Sequence, residues 1–195
     1  MKVTREQAEQ NRQRIVEVAA QLFRERGFDG VSVADLMGGA GLTHGGFYGH
    51  FPSKEVLEAE ACAKALQDLN STWTELRART PRRALSAIAS RYASADHRDN
   101  PGDGCVVPSL GADAARHGPG VRLAVTEGVK RFVSLLTGIV PGRTAELRRR
   151  QALTSFAAMV GAVVVARAVS DASLSDEVLQ AVRTQIAELD RPRST

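Results

Sequence analysis

The chain has 195 residues, 43% hydrophobic and 25% charged, with a net charge of +4 and a pI near 9.5, an ordinary balance for a soluble protein with a real core. Its two cysteines, Cys62 and Cys105, are too few for a disulfide framework and wrongly spaced for a metal site. No basic segment followed by an apolar run opens the chain, and the most apolar stretch, Ala152 to Val169, is interrupted by Thr154, Ser155 and Arg167 and makes a poor membrane span.

Helical signals then follow one another. Ile15, Val18, Ala19, Leu22 and Phe23 recur at the spacing of one helical face. Gly27 stands where a helix ends, and Phe28 can fold back on its last turn. Ser32 and Asp35 fit a capping box, with Val31 and Leu36 at the staple positions, so a short helix is expected from Val33 to about Gly38. Ala40-Gly41-Leu42 is a tight turn of small residues. Thr43 is placed to cap a further helix, to which Phe47 and Phe51 give an apolar face and which Pro52 closes. Ser53 caps a long helix from Lys54 to about Arg77, striped by Leu57, Ala61, Ala65, Leu69, Trp73 and Leu76.

Thr80-Pro81 breaks the chain before a helical face of Leu85, Ile88, Ala89 and Tyr92. Residues 96 to 104 read as the clearest loop. Helices are expected from Val107 to about Arg116, from Val121 to about Ile139, and from Ala145 (capped by Thr144) to Val169. Ser175 is expected to cap the last helix, which reaches about Leu189. The expected class is all-α with about nine helices, since no credible run of alternating strands is present.

Two short helices joined by a glycine-containing turn and supported by a third make a helix-turn-helix. Here the residues resemble the N-terminal domain of the TetR/AcrR-type bacterial transcriptional regulators. The resemblance covers residues 12 to 57 and rests on Ile15, Ala19, Ala20, Leu22, Phe23, Gly27, Phe28, Val33, Leu36, Ala40, Gly41, Leu42, Thr43, Gly45, Phe47, Tyr48, His50, Phe51, Lys54, Glu55 and Leu57. It implies a DNA-binding domain over 1–53 and a ligand-binding and dimerisation domain over 54–195. A dinucleotide fingerprint and a P-loop both fail, because His44 and Phe47 occupy positions those motifs give to glycine and lysine.

Net positive charge permits nucleic-acid binding without showing it. In residues 1–55, seven basic and seven acidic residues cancel, so any DNA interface at this end must rest on geometry. The resemblance lays the helix from Thr43 to about His50 in the major groove. The DNA-facing set it implies is Ser32, Val33, Thr43, His44, Gly45, Gly46, Tyr48, His50 and Lys54. Thr43 can hand a hydroxyl to phosphate, the glycines clear side-chain bulk, Tyr48 suits a phosphate or thymine methyl, and Lys54 adds a cation at a helix N-terminus. Gly46 and Gly49 depart from the family pattern and leave few side chains to reach base edges. Readout is therefore expected to lean on phosphates, backbone approach and DNA shape.

For the rest of the chain, the resemblance implies that the last two helices pair with their copies across a two-fold axis. Leu153, Phe156, Val160, Val163, Val164 and Arg167 are the expected dimer residues. A ligand cavity would draw on Trp73, Tyr92, Phe132, Phe156 and Met159. Cys105 sits in a Gly-Cys preceding an apolar helix, which resembles electrophile- and oxidant-sensing members, and a helix N-terminus makes a thiol reactive. A buried structural thiol is the competing reading. The implied partners are an operator duplex, a second copy and a small-molecule inducer, with no membrane, no cofactor and no metal, in the cytoplasm. Two rival classes are a helical binding module without DNA activity and, less well supported, a cysteine-dependent enzyme, for which Cys105 with His97 or His117 is the conceivable dyad.

Overall fold

The structure, a computed structural model, describes residues 4–190. Among these residues there are nine α-helices, two 3-10 segments and no strand. The helices are α1 (Arg5–Arg26), α2 (Val33–Gly39), α3 (Lys54–Arg79), α4 (Ala84–Tyr92), α5 (Ala95–Asp99), α6 (Val106–Ala114), α7 (Pro119–Thr137), α8 (Ala145–Ala168) and α9 (Ala172–Leu189); the 3-10 segments are His44–Gly49 and Pro101–Asp103. The all-α class expected from periodicity is the class observed. The chain forms two compact units. One holds the residues up to Gln67 together with Pro101–Glu127; the other holds Asp68–Asn100 and the residues from Gly128 onward. These compact units follow other boundaries than the functional division after residue 53 that the sequence suggests.

In the first unit, α1 is capped by Thr4, whose hydroxyl accepts from the Gln7 N–H at 3.1 Å. It stops at Gly27, whose φ of 76° a side chain would strain and whose N–H returns to the Phe23 carbonyl at 2.9 Å. Phe28 then folds back, with its ring centroid 5.4 Å from that of Phe23. The Ser32–Asp35 capping box is complete, and Val31 and Leu36 are both buried. Gly41 takes φ 69°, which lets the Leu42 N–H reach the Met37 carbonyl at 2.8 Å and turns the chain.

Three expectations are corrected. Segment 43–50 holds a six-residue 3-10 helix, His44–Gly49, rather than an α-helix, and Thr43 makes no side-chain capping bond. A glycine-rich piece this short gains little from α-helical propagation, and 3-10 turns are used in such lengths. The expected loop at 96–104 contains α5, nucleated because Ser94 accepts from the His97 N–H at 3.1 Å, and then the 3-10 segment Pro101–Asp103. The cap of α9 is Asp171, which accepts from the Ser173 and Leu174 N–H groups, whereas Ser175 lies one turn inside the helix and donates to the Ala166 carbonyl.

The second unit is built on rings. Trp73 meets Tyr92 edge-on at 5.2 Å and Phe132 at 4.8 Å, and Phe132 stacks on Phe156 at 5.8 Å. By length and composition α8 is apolar enough to cross a membrane, contrary to the sequence reading, yet Ala152, Phe156, Met159, Ala162, Val163 and Ala166 are buried within the protein. A core helix of a folded protein passes the same test.

Candidate nucleic-acid interface

The segment His44–Gly49 is pinned from behind. Phe47 and Phe51 are buried, with ring centroids 5.8 Å apart. The Arg12 guanidinium covers Phe51 at 4.6 Å and reaches both oxygens of Glu60, at 2.6 and 2.7 Å, which fastens α1 to α3 beneath the segment. On the other side Thr43, His44, Gly45 and Tyr48 are exposed, and Gly46 and His50 are half-exposed. Tyr48 stands 70% exposed with its ring edge against Phe47 at 5.2 Å. A large aromatic side chain held out on a rigid base is costly to leave in water and is suited to a partner surface. Ser32 is exposed and Val33 half-exposed at the start of α2. The Asp35 carboxyl is held below its ordinary value, chiefly by its bonds from the Ser32 hydroxyl and N–H.

Lys54 sits differently from expectation. Its ammonium donates to the Phe28 carbonyl at 2.6 Å and lies 3.6 Å from Glu58, so within the first unit it already has two partners. Glu58 is 5% exposed, and burial pushes its carboxyl up. His117, from the connection between α6 and α7, places Nδ1 3.5 Å from the same carboxylate and its ring 4.4 Å from that of Phe28. This Lys54–Glu58–His117 group was invisible in sequence, because His117 lies 59 residues beyond Glu58, outside the helix α3 that Lys54 and Glu58 share.

Of the expected ligand residues, Trp73, Tyr92, Phe132 and Phe156 are brought together in the ring cluster, and Met159 is also buried. Cys105 belongs to the first unit, is 1% exposed and acts as the N-cap of α6, its sulfur accepting from the Val107 N–H at 3.5 Å. A cavity of about 310 Å³ lies between α8 and α9, lined by Leu147, Gln151, Ala158, Ile186 and Leu189, none of them on the expected ligand set. Burial raises the Cys62 thiol to about 12.

The expected dimer residues divide. Leu153 and Val164 are exposed at 44% and 43%, and Val160 is half-buried. Phe156 and Val163 point into the unit, and Arg167 donates to the His97 and Arg98 carbonyls. The helical stripe drawn from sequence mixed two faces, because α8 is apolar nearly all round. Val165 at 44% exposure, with exposed Ala157, Gly161 and Ala168, completes the outer face.

Residues 15–61 match the family model of the bacterial regulatory proteins of the tetR family. The chain is 39% identical over 61 residues to the HTH-type transcriptional repressor DhaR of Mycobacterium sp. (strain GP1), an alignment covering 31% of each chain. It is 31% identical over 85 residues to the HTH-type transcriptional regulator AcrR of Shigella flexneri, covering 44% of this chain and 40% of that one. The matches thus span about a third to two-fifths of these relatives' lengths. The crystal structure of a TetR-family regulator from Cytophaga hutchinsonii shares the fold with a TM-score of 0.79 at 24% identity, covering 99% of this chain and 100% of that one. Residues 15–61 thus carry the domain of the tetR family of bacterial regulatory proteins, and the whole chain shares the fold of a solved TetR-family regulator.

Proposed function

We propose that the chain is a cytoplasmic, ligand-responsive transcriptional regulator, acting as a repressor, that binds a palindromic operator as a homodimer. The observation that carries this reading is the exposed edge of Thr43, His44, Gly45 and Tyr48 on a segment pinned by buried Phe47 and Phe51. Ser32, Val33, Gly46 and His50 complete the contact set, with phosphate contacts and DNA shape supplying much of the readout. Lys54 acts one step back, holding the segment's frame. The relative DhaR is named a repressor, which supports that direction of control.

One short reading segment sees a half-site, so two copies are needed, their segments about 34–36 Å apart. The outer face of α8, with Leu153, Val160, Val164 and Val165, is the surface assigned to the second copy. Phe156, Val163 and Arg167 act behind it. An inducer, a small molecule contacting the ring cluster of Trp73, Tyr92, Phe132, Phe156 and Met159 or an electrophile or oxidant reaching Cys105, lowers DNA affinity by preferring one of two states.

Mapping protection across the DNA upstream of the gene tests this reading. The expected result is a two-fold symmetric footprint whose binding falls steeply with salt. Absence of binding at low salt refutes it and leaves a helical interaction module.

A further inference from the structure

Several helix termini of the second unit meet at one end of it. Arg77, in the last turn of α3, lies against Gly138 in the α7–α8 connection, where a Cβ would stand 3.6 and 3.7 Å from its two terminal nitrogens. Asp190, just past α9, accepts from the Ser86 N–H at 2.8 Å and from its hydroxyl at 2.5 Å, which brings the end of α9 to the first turn of α4. Leu147 of α8 and Leu189 of α9 line one cavity, so the start of α8 lies there too. Four arginines fall within residues 77–83 and four more within residues 143–150. The carboxylates of the same end are Glu75, Glu146, Glu188 and Asp190. The excess of four positive charges equals the net charge of the whole chain, so the remainder of the chain is balanced.

Most of this charge is unpaired. Arg79 lies 3.6 Å from Glu75, and Arg148 donates to the Gly142 carbonyl at 3.0 Å. Among the described residues, Arg77, Arg82, Arg83, Arg143, Arg149 and Arg150 are exposed and have no side-chain hydrogen bond or carboxylate partner. Helix electrostatics accounts for only part of the set. A helix C-terminus attracts cations, which explains Arg77 and Arg79, whereas a helix N-terminus repels them. Yet Arg82 and Arg83 stand immediately before α4, where Arg83 is a cap that makes no side-chain bond, and Arg143 stands just before the Thr144 cap of α8.

The surroundings of the charge select its partner. Among the described residues, no large apolar side chain within 77–83 or 138–150 is exposed. A protein interface needs an apolar centre, and a lipid surface takes up apolar groups beside the cations. Neither segment holds an aromatic ring to stack on unpaired bases. Successive residues of a helix fan out by about 100°, so Arg148, Arg149 and Arg150 cannot close on one small anion. A row of phosphates suits such a fan, and the planar guanidinium fork matches phosphate geometry.

We infer that this end of the second unit is a sequence-independent surface for the phosphate backbone of duplex DNA. Its residues are distinct from those of segment 43–50, and it does not depend on the proposed operator binding.

Salt titrations of the full chain with a short duplex of scrambled sequence test the inference. Each phosphate contact contributes about 0.9 to the slope of log affinity against log salt. Arg82→Gln with Arg83→Gln, and separately Arg143→Gln with Arg149→Gln, should each lower that slope by about 1.8. Both pairs should melt no lower than the parent, because each removes cations from beside a helix N-terminus. Arg82→Lys with Arg83→Lys should keep the parent slope, since the charge remains. Unchanged slopes in both glutamine pairs, or a parent that does not bind the scrambled duplex at low salt, overturn the inference. Binding to phosphatidylserine vesicles that both pairs lose, with duplex slopes unaltered, also overturns it and assigns the surface to lipid. A parent without an operator footprint, but with slopes lowered in the pairs, refutes the operator reading and leaves this surface standing.

Discussion

The Lys54 ammonium lies 2.6 Å from the carbonyl oxygen of Phe28, so the first residue of α3 holds the turn that follows α1. A hydrogen bond from a charged donor contributes about 1.5–3 kcal/mol, and the partial exposure of this one favours the lower end. Lys54→Ala is expected to lower unfolding stability by about 1.5 kcal/mol in a urea titration. It should leave the salt dependence of DNA binding unchanged, against the drop of about one in slope that a lost phosphate contact gives. A lowered slope with stability intact returns Lys54 to the DNA.

Tyr48 is the large side chain most open to solvent in the reading segment. Tyr48→Ala should weaken operator binding about tenfold, within the 1–3 kcal/mol of a specific contact, while thermal unfolding and oligomeric state stay as in the parent. Unaltered operator affinity removes Tyr48 from the interface.

Glu58 supplies a pH test. Burial raises its carboxyl above the ordinary value of 4.5, so the stability it lends is complete below that value and is lost as pH rises through the raised one. Glu58→Gln removes the titration. Parent and variant should melt alike near pH 4, and the variant should melt higher at pH 7. A gap that shrinks or reverses with rising pH contradicts burial as the dominant cause.

The two faces of α8 can be separated by mutation. Leu153→Asp with Val164→Asp should give a folded monomer by sedimentation, because charge is placed on the outer face. Phe156→Ala should instead cost about 3–5 kcal/mol of stability through the ring cluster it vacates. If the double variant sediments as the parent does, the second copy docks elsewhere.

The thiols give a simple control. Cys62, raised to about 12 by burial, should resist alkylation at pH 8 until urea unfolds the chain. Modification of Cys105 ahead of Cys62 in the folded protein would demonstrate the access that electrophile sensing needs, and Cys105→Ser should then abolish release from DNA by the reagent.

What could be read from sequence was local. Gly27, the Ser32–Asp35 box and the Thr144 cap are written within four residues of where they act, and each stands as expected. What could not be read depends on partners far along the chain. Ser175 looked like a cap but is spent on Ala166, and Arg167 looked like an interface residue but holds carbonyls about 70 positions away. Lys54 belongs to the same class, because its carbonyl partner follows a different helix. On α8 the periodicity itself was uninformative, since an all-round apolar helix does not announce which side is core. Segment 43–50 shows a third limit: residue types located a short helical piece between the Gly41 turn and Pro52, but not that it would wind as a 3-10 turn.

The glycines of that element differ from Gly39 and Gly102 in what surrounds them. A Cβ at Gly39 would strike Val18 at 2.7 Å, and one at Gly102 would strike Glu25, whereas Gly45 and Gly49 face open space and Gly46 meets only Met37 at 3.5 Å. At the first two a neighbouring side chain would have to shift; the latter three are open positions. New side chains at 45 and 49 would strike no neighbouring atom, so under the proposed DNA-binding role this segment would gain contacts by addition rather than by replacement.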